Sequence, residues 1–204
     1  HSLAHAEEVT ARWREVALAG HRADPATARA ALADDDPTTR ELALGALLRL
    51  GNLTDTDLQA ALVDSAASVR RRAATIAAQR PSVSLLGALH DADDAVVEAA
   101  AWACGEHVVV DDDVLATLID LGVRALDPLV REACVAALGA IGDVRGLPTI
   151  LHGCTDKPAI RRRAVLALAP FDGDDVEAAL QAALSDRDWQ VRQAAEDVVR
   201  ASNG

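Results

Sequence analysis

The sequence predicts an all-α fold, a right-handed α-α superhelix of six helix pairs behind an N-terminal capping helix, and three observations carry that prediction. Apolar residues recur at helical spacing in six blocks, each about 30 residues from the next. Aspartates stand ahead of every block. The hydrophobic half of the composition is Ala, Leu and Val with one Phe, no Tyr and three Trp, whereas sheet-rich domains lean on aromatic and β-branched residues. Small side chains suit closely spaced helices.

The register is fixed by taking Thr39, Val69, Val96, Val130, Ile160 and Val191 as position 0, which gives intervals of 30, 27, 34, 30 and 31 residues. Position 1 is then Arg40, Arg70, Val97, Arg131, Arg161 and Arg192. Position 4 is Ala43, Ala73, Ala100, Cys134, Ala164 and Ala195, and position 7 is Ala46, Ile76, Ala103, Ala137, Ala167 and Val198. Positions 0, 4, 7 and 8 share one face of a 3.6-residue helix, so each block is an amphipathic helix. The preceding aspartates (Asp34 to Asp36, Asp64, Asp91 with Asp93 and Asp94, Asp127, Asp156, Asp186) are expected to cap these helices and to complement their dipoles. Pro37, Pro128 and Pro158 fit a first turn, where the missing N–H costs nothing.

Shorter apolar segments are expected to form the first helix of each pair, around residues 26–33, 56–63, 83–90, 114–121, 147–152 and 176–184. The 34-residue interval implies an extended loop near Leu121 to Asp127. Residues 1–23 form the capping helix, with Leu3, Ala6, Val9, Trp13 and Val16 on its inner face and Glu7, Glu8, Arg12, Arg14 and Glu15 around the rest. Residues 24–204 form one solenoid domain. Position 5 carries Leu44, Ala74, Ala101, Val135 and Val165, apolar residues that meet a following repeat, but Glu196 in the last, so the domain is expected to end near Gly204.

Antiparallel pairs of this length, with an aspartate before the second helix and Val-Arg at its start, resemble HEAT repeats, most closely from Gly142 to Arg161. The resemblance spans residues 24 to 200 and implies a HEAT-like solenoid. It also implies that the aspartates and position-1 arginines form a ladder between repeats and that positions 2, 3 and 6 line a concave surface. Val97 departs from the arginine pattern. The resemblance leaves function open, since HEAT proteins include transport receptors, phosphatase scaffolds, bilin-lyase subunits and an alkylated-base DNA glycosylase family.

The concave positions read Glu41, Leu42, Gly45; Arg71, Arg72, Thr75; Glu98, Ala99, Trp102; Glu132, Ala133, Ala136; Arg162, Arg163, Leu166; and Gln193, Ala194, Asp197. Candidate binding residues are Trp102, an unrequired large aromatic, with Arg71, Arg72, Arg162, Arg163, Glu98 and Glu132. The face is banded and locally neutral, and the net charge is -12, so nucleic acid ranks last among partners. Glu98 with Glu132 is the only carboxylate pair that suggests catalysis, and a solvent-facing role is preferred for both.

Three cysteines, Cys104, Cys134 and Cys154, cannot all pair within the chain, and Cys104 and Cys134 fall at core positions. Buried thiols and a reducing, cytoplasmic setting are expected. Neither a zinc site with His107 and His152 nor a metal cluster at Asp111 to Asp113 is preferred over core packing and helix capping, and Asp91 to Trp102 lacks the glycine and closing glutamate of a calcium loop. No apolar run reaches the roughly 20 residues of a membrane span. No catalytic residue, metal or cofactor is assigned. The leading function is a scaffold that binds a peptide or protein in the concave groove; a lyase-like small-ligand or other enzyme subunit follows, and nucleic-acid binding is third.

Overall fold

The computed structural model describes residues 2–22, 24–107 and 109–202, and among these there are α-helices and short 3-10 turns but no strand. The chain divides into two compact units, His1–Ala77 and Ala78–Gly204. The first contains α1 (Ser2–Arg22), α2 (Pro25–Ala30, continued by a 3-10 turn), α3 (Pro37–Arg49), α4 (Asp55–Ala61) and α5 (Ala67–Ala77). The second contains α6 (Asp94–Gly105), α7 (Asp112–Arg124), α8 (Pro128–Ile141), α9 (Leu147–Gly153), α10 (Pro158–Ala167), α11 (Asp174–Ala183) and α12 (Trp189–Ser202).

The six second helices, α3, α5, α6, α8, α10 and α12, fall where the register puts them. Every residue at positions 0, 4 and 7 is buried, and so is every residue at position 5 except the exposed Glu196. Asp36, Asp93 and Asp127 cap α3, α6 and α8 by accepting the N–H of Thr39, Ala95 and Leu129 at 2.7–2.9 Å.

Two expectations fail locally. Residues 83–90 do not form an α-helix. The shortest interval leaves little chain there, and Pro81, Ser82 and Ser84 favour turns. Val83 N–H closes a turn on the Arg80 carbonyl at 2.9 Å, and only Ala88–His90 winds into a 3-10 turn. Val83, Leu85 and Leu89 are nevertheless buried, so the segment keeps its packing role without its helix. The extended loop near Leu121 is also absent, because α7 continues to Arg124 on a face that buries Val114, Leu115, Leu118 and Gly122. The extra residues lengthen this helix instead.

The aspartates do two separate jobs. Two residues before the capping position, or one in the fifth repeat, a second aspartate receives the arginine of the preceding repeat. Arg40 donates through Nε and Nη2 to Asp64 at 2.8 and 2.7 Å, Arg131 to Asp156 at 2.7 and 3.1 Å, and Arg161 to Asp186 at 2.9 Å twice. The remaining Nη1 donates to a carbonyl of the arginine's own turn, Asp34, Ala125 and Asp156 respectively, at 2.8–2.9 Å. Each aspartate in turn accepts a backbone N–H of its own turn, from Ala66, Lys157 and Asp188. The guanidinium and carboxylate are thereby satisfied while largely withdrawn from water.

The rung that would start at α6 is missing on both sides. Val97 replaces its arginine, and Ala125 stands where Asp34, Asp64 and Asp186 stand in other repeats. Val97 is buried, and no charge is left stranded.

Helix α1 caps the stack through its second half. Arg12, expected on the outer surface, supplies the first rung by donating to Asp34 at 3.1 and 3.2 Å, and the Trp13 indole N–H donates to Asp36 at 2.7 Å. Val16 and Ala19 are buried and Val9 and Trp13 half-buried, but Ala6 is exposed, because packing starts only where these two side chains fasten the helix. The Leu3 side chain lies outside the described residues.

The arginine hydrogen bonds hold the carboxyls of Asp64, Asp156 and Asp186 below their usual range. A depressed folded-state value adds stability that is complete above the unfolded carboxyl value of about 4 and is lost as pH falls through the folded value. Asp156→Asn should therefore cost about 2 kcal/mol at neutral pH, and urea titrations of both proteins should show that gap closing as pH falls below about 4.

Candidate functional site

Positions 2, 3 and 6 stay outside the buried rows except at Gly45 and Ala194, which were expected on the face but are buried because residues this small sit under their neighbours. The rest form a continuous face only if the second helices lie side by side. In the second unit α6 packs on α8, α8 on α10 and α10 on α12. The close approach comes from two glycines at position 9 set against alanines at position 7 of the next repeat. A Cβ on Gly105 would stand 3.0 Å from Ala137 Cα, and one on Gly139 would stand 2.5 Å from Ala167 Cβ. Alanine at either glycine would push the helices apart.

The face that results carries Glu98 and Trp102 on α6, Glu132 on α8, and Arg162 and Arg163 on α10. Trp102 is 44% exposed, and Glu98 lies one turn earlier on the same side of the helix. The structure brings Glu132 and Arg163 together at 3.6 Å, so Glu132 forms a cross-repeat ion pair and not a pair of carboxylates with Glu98. Arg162 is exposed and has no carboxylate partner among the described residues. Arg71 and Arg72 belong to α5 in the first unit, where both are exposed and Arg72 Nη2 would stand 3.4 Å from a Cβ on Gly45. The missing side chain at Gly45 makes room for Arg72.

Elsewhere several of the titratable groups are held by structure. Cys104 and Cys134 are buried, and burial pushes both thiols up to about 12, with the neighbouring Cys104 adding to the rise at Cys134. Burial also raises half-buried Cys154 to about 11. Among the described residues no group of His, Cys, Asp and Glu is placed to hold a metal ion. Asp111 occupies the N-cap of α7, but its side chain makes no capping bond; Asp112 instead accepts from Arg145 at 2.8 Å, and Arg145 also forks onto Asp143. This tie between the fourth and fifth repeats has no signal in the repeat pattern, since it depends on Arg145 reaching across 33 residues. A cavity of about 290 Å³ in the first unit is walled by Leu32, Leu44 and Ala60, and its polar lining includes Arg40 and Asp64, which already satisfy each other. Among the described residues no helix is long and apolar enough to cross a membrane.

Residues 82–169, which take in α6 to α10 and the whole of this face in the second unit apart from α12, match the family model described as HEAT repeats. That stretch carries HEAT repeats. The solenoid likeness runs beyond the matched stretch. A designed armadillo repeat protein in complex with peptide (KR)4 superposes with a TM-score of 0.64 at 18% identity, covering 87% of this chain and 98% of that one. An engineered protein gives 0.61 at 19% identity over 89% and 98% of the two chains, and a second designed armadillo repeat protein gives 0.61 at 17% over 87% and 98%. At these identities the likeness shows the fold, an all-α repeat solenoid. No curated protein matches the chain.

Thiolate is the reactive form of cysteine, so the HEAT core keeps Cys104 and Cys134 inert. Titration with an aromatic disulfide reagent at pH 8 should leave both unmodified in the native protein and release both in denaturant; rapid native labelling of either would place it outside the core.

Proposed function

We propose that the chain is a protein-interaction scaffold that takes a peptide or protein segment across the position 2, 3 and 6 face, the concave face of a HEAT stack, with Trp102 as its anchor. One observation carries the reading. Trp102 is half exposed at a position that holds Gly45, Thr75, Ala136, Leu166 and Asp197 in the other repeats, so the repeat does not demand an aromatic there. Large aromatics in such settings dominate binding energies, and arginines are the usual companions.

The surroundings of Trp102 suggest the partner's chemistry. An indole face beside the Glu98 carboxylate suits a lysine or arginine side chain, which gains a cation–π contact and a counter-charge together. Arg162, without a partner on α10, suits an acidic residue further along the same segment, and Arg71 with Arg72 is a second band of the same kind on the first unit. The overall charge of -12 draws basic segments in. The designed armadillo protein of similar fold was solved with the basic peptide (KR)4, which supports a basic segment as the first probe.

Fluorescence anisotropy with a labelled Lys/Arg peptide should register binding that Trp102→Ala weakens by about 2 kcal/mol or more, roughly thirtyfold in Kd. The same substitution should alter unfolding free energy by less than about 1 kcal/mol. A large loss of stability with unchanged binding would assign Trp102 to the core and remove the anchor.

A further inference from the structure

A second exposed surface lies at the turns that lead into α8, α10 and α12, and the ladder fixes those turns in a line. Arg131 joins the first turn to the second, donating to the carbonyls of Ala125 and Leu126 and to the Asp156 carboxylate. Arg161 joins the second to the third through the Asp156 carbonyl and the Asp186 carboxylate. Arg192 closes the third on the carbonyls of Asp186 and Arg187. Side chains that leave these turns outward therefore share one edge of the unit.

Those side chains are apolar on the first and third turns and cationic on the second and third. Leu126 is 97% exposed, Leu129 54% and Trp189 64%, three large apolar groups that the core does not use. Lys157, the only lysine in the chain, and Arg187 are exposed on the second and third turns and form no ion pair among the described residues. The carboxylates of the same turns are already engaged. Asp156 and Asp186 are held by ladder arginines, while Asp127 and Asp188 accept backbone N–H groups of Leu129 and Gln190. In a protein of net charge -12 this edge presents outward cations framed by hydrophobic anchors.

We infer that this edge is a docking surface, separate from the face proposed above, for an acidic protein segment that carries an apolar residue at each end. Leu126 with Leu129 receives one apolar side chain, Trp189 receives the other, and Lys157 and Arg187 pair with the acidic residues between them. The anchors stand two repeats apart, about 20 Å at about 10 Å per packed helix. An extended segment covers that distance in about six residues at roughly 3.3 Å each. Burying apolar side chains supplies affinity, and the cations set charge sign and orientation.

The test is anisotropy with a fluorescein-labelled peptide of five glutamates flanked by leucine and phenylalanine, against a control with serines in place of the glutamates. The proposal expects the acidic peptide to bind and the serine control to bind at least tenfold more weakly. Raising salt should weaken the acidic peptide but not the control. Trp189→Ala and the pair Lys157→Glu with Arg187→Glu should each weaken it at least tenfold, while Trp102→Ala leaves it unchanged. All these side chains are exposed, and matching thermal melts would show that the variants fold. Equal binding by the wild type and the charge-reversed variant would overturn the proposal. So would sedimentation showing a dimer that Leu126→Ser dissociates, which would give the edge to a second copy of the chain.

Discussion

The charged rung between neighbouring second helices, present at every junction described except that of α6 with α8, is the interaction that sets the register of the stack. Small apolar residues provide attraction between these helices but little register, because an alanine row slides on another at small cost. A guanidinium that spends Nε and Nη2 on the next repeat's aspartate and Nη1 on its own turn has one acceptable position. The aspartate is equally constrained, since it also accepts a backbone N–H of the turn it sits in. Each rung thus fixes a turn and its neighbour at once. The net free energy of such a pair is modest, but the cost of leaving either member alone is large.

This constraint explains why the two proposed surfaces lie where they do. Core positions and ladder positions use every inward or turn-facing site of the second helix, which frees positions 2, 3 and 6 to vary. In the second unit those positions hold Trp102, Glu98 and Arg162, and Gly105 and Gly139 bring the helices close enough to make one face of them. The same ladder aligns the turns, so that exposed residues as far apart in sequence as Leu126 and Trp189 stand on one edge. Surface chemistry is therefore carried by a frame whose own charges are already matched.

Period and position made most of this legible in the sequence. Once Val96 and Val130 are aligned, Ala100 and Cys134 fall in the core and Glu196 marks a position-5 site that stays exposed, all as the structure has them. Features that depend on a single repeat were harder to read. The segment after Pro81 has the apolar content of a helix, but too short a span to wind one, and Val83, Leu85 and Leu89 are buried regardless. The roles of Arg12 and Trp13 depend on which side of α1 meets Asp34 and Asp36, a tertiary fact that a helical wheel leaves open. Of the candidate face, exposure of Trp102 and Arg162 was readable from position alone, whereas the Glu132 pairing with Arg163 needed the spacing between α8 and α10. The paired loss at Val97 and Ala125 was present in the sequence as two departures, and only the geometry of intact rungs shows that they are one event.

That paired loss offers the most direct measurement of the ladder's role, a double-mutant cycle on Val97→Arg and Ala125→Asp read by equilibrium unfolding. If the rungs couple the repeats as described, Val97→Arg alone destabilises the protein by burying an unpaired guanidinium, and adding Ala125→Asp recovers stability with a coupling of about 1 to 3 kcal/mol. Additive effects of the two substitutions, within about 0.5 kcal/mol, would contradict the claim that a rung of this kind holds one HEAT repeat in register on the next.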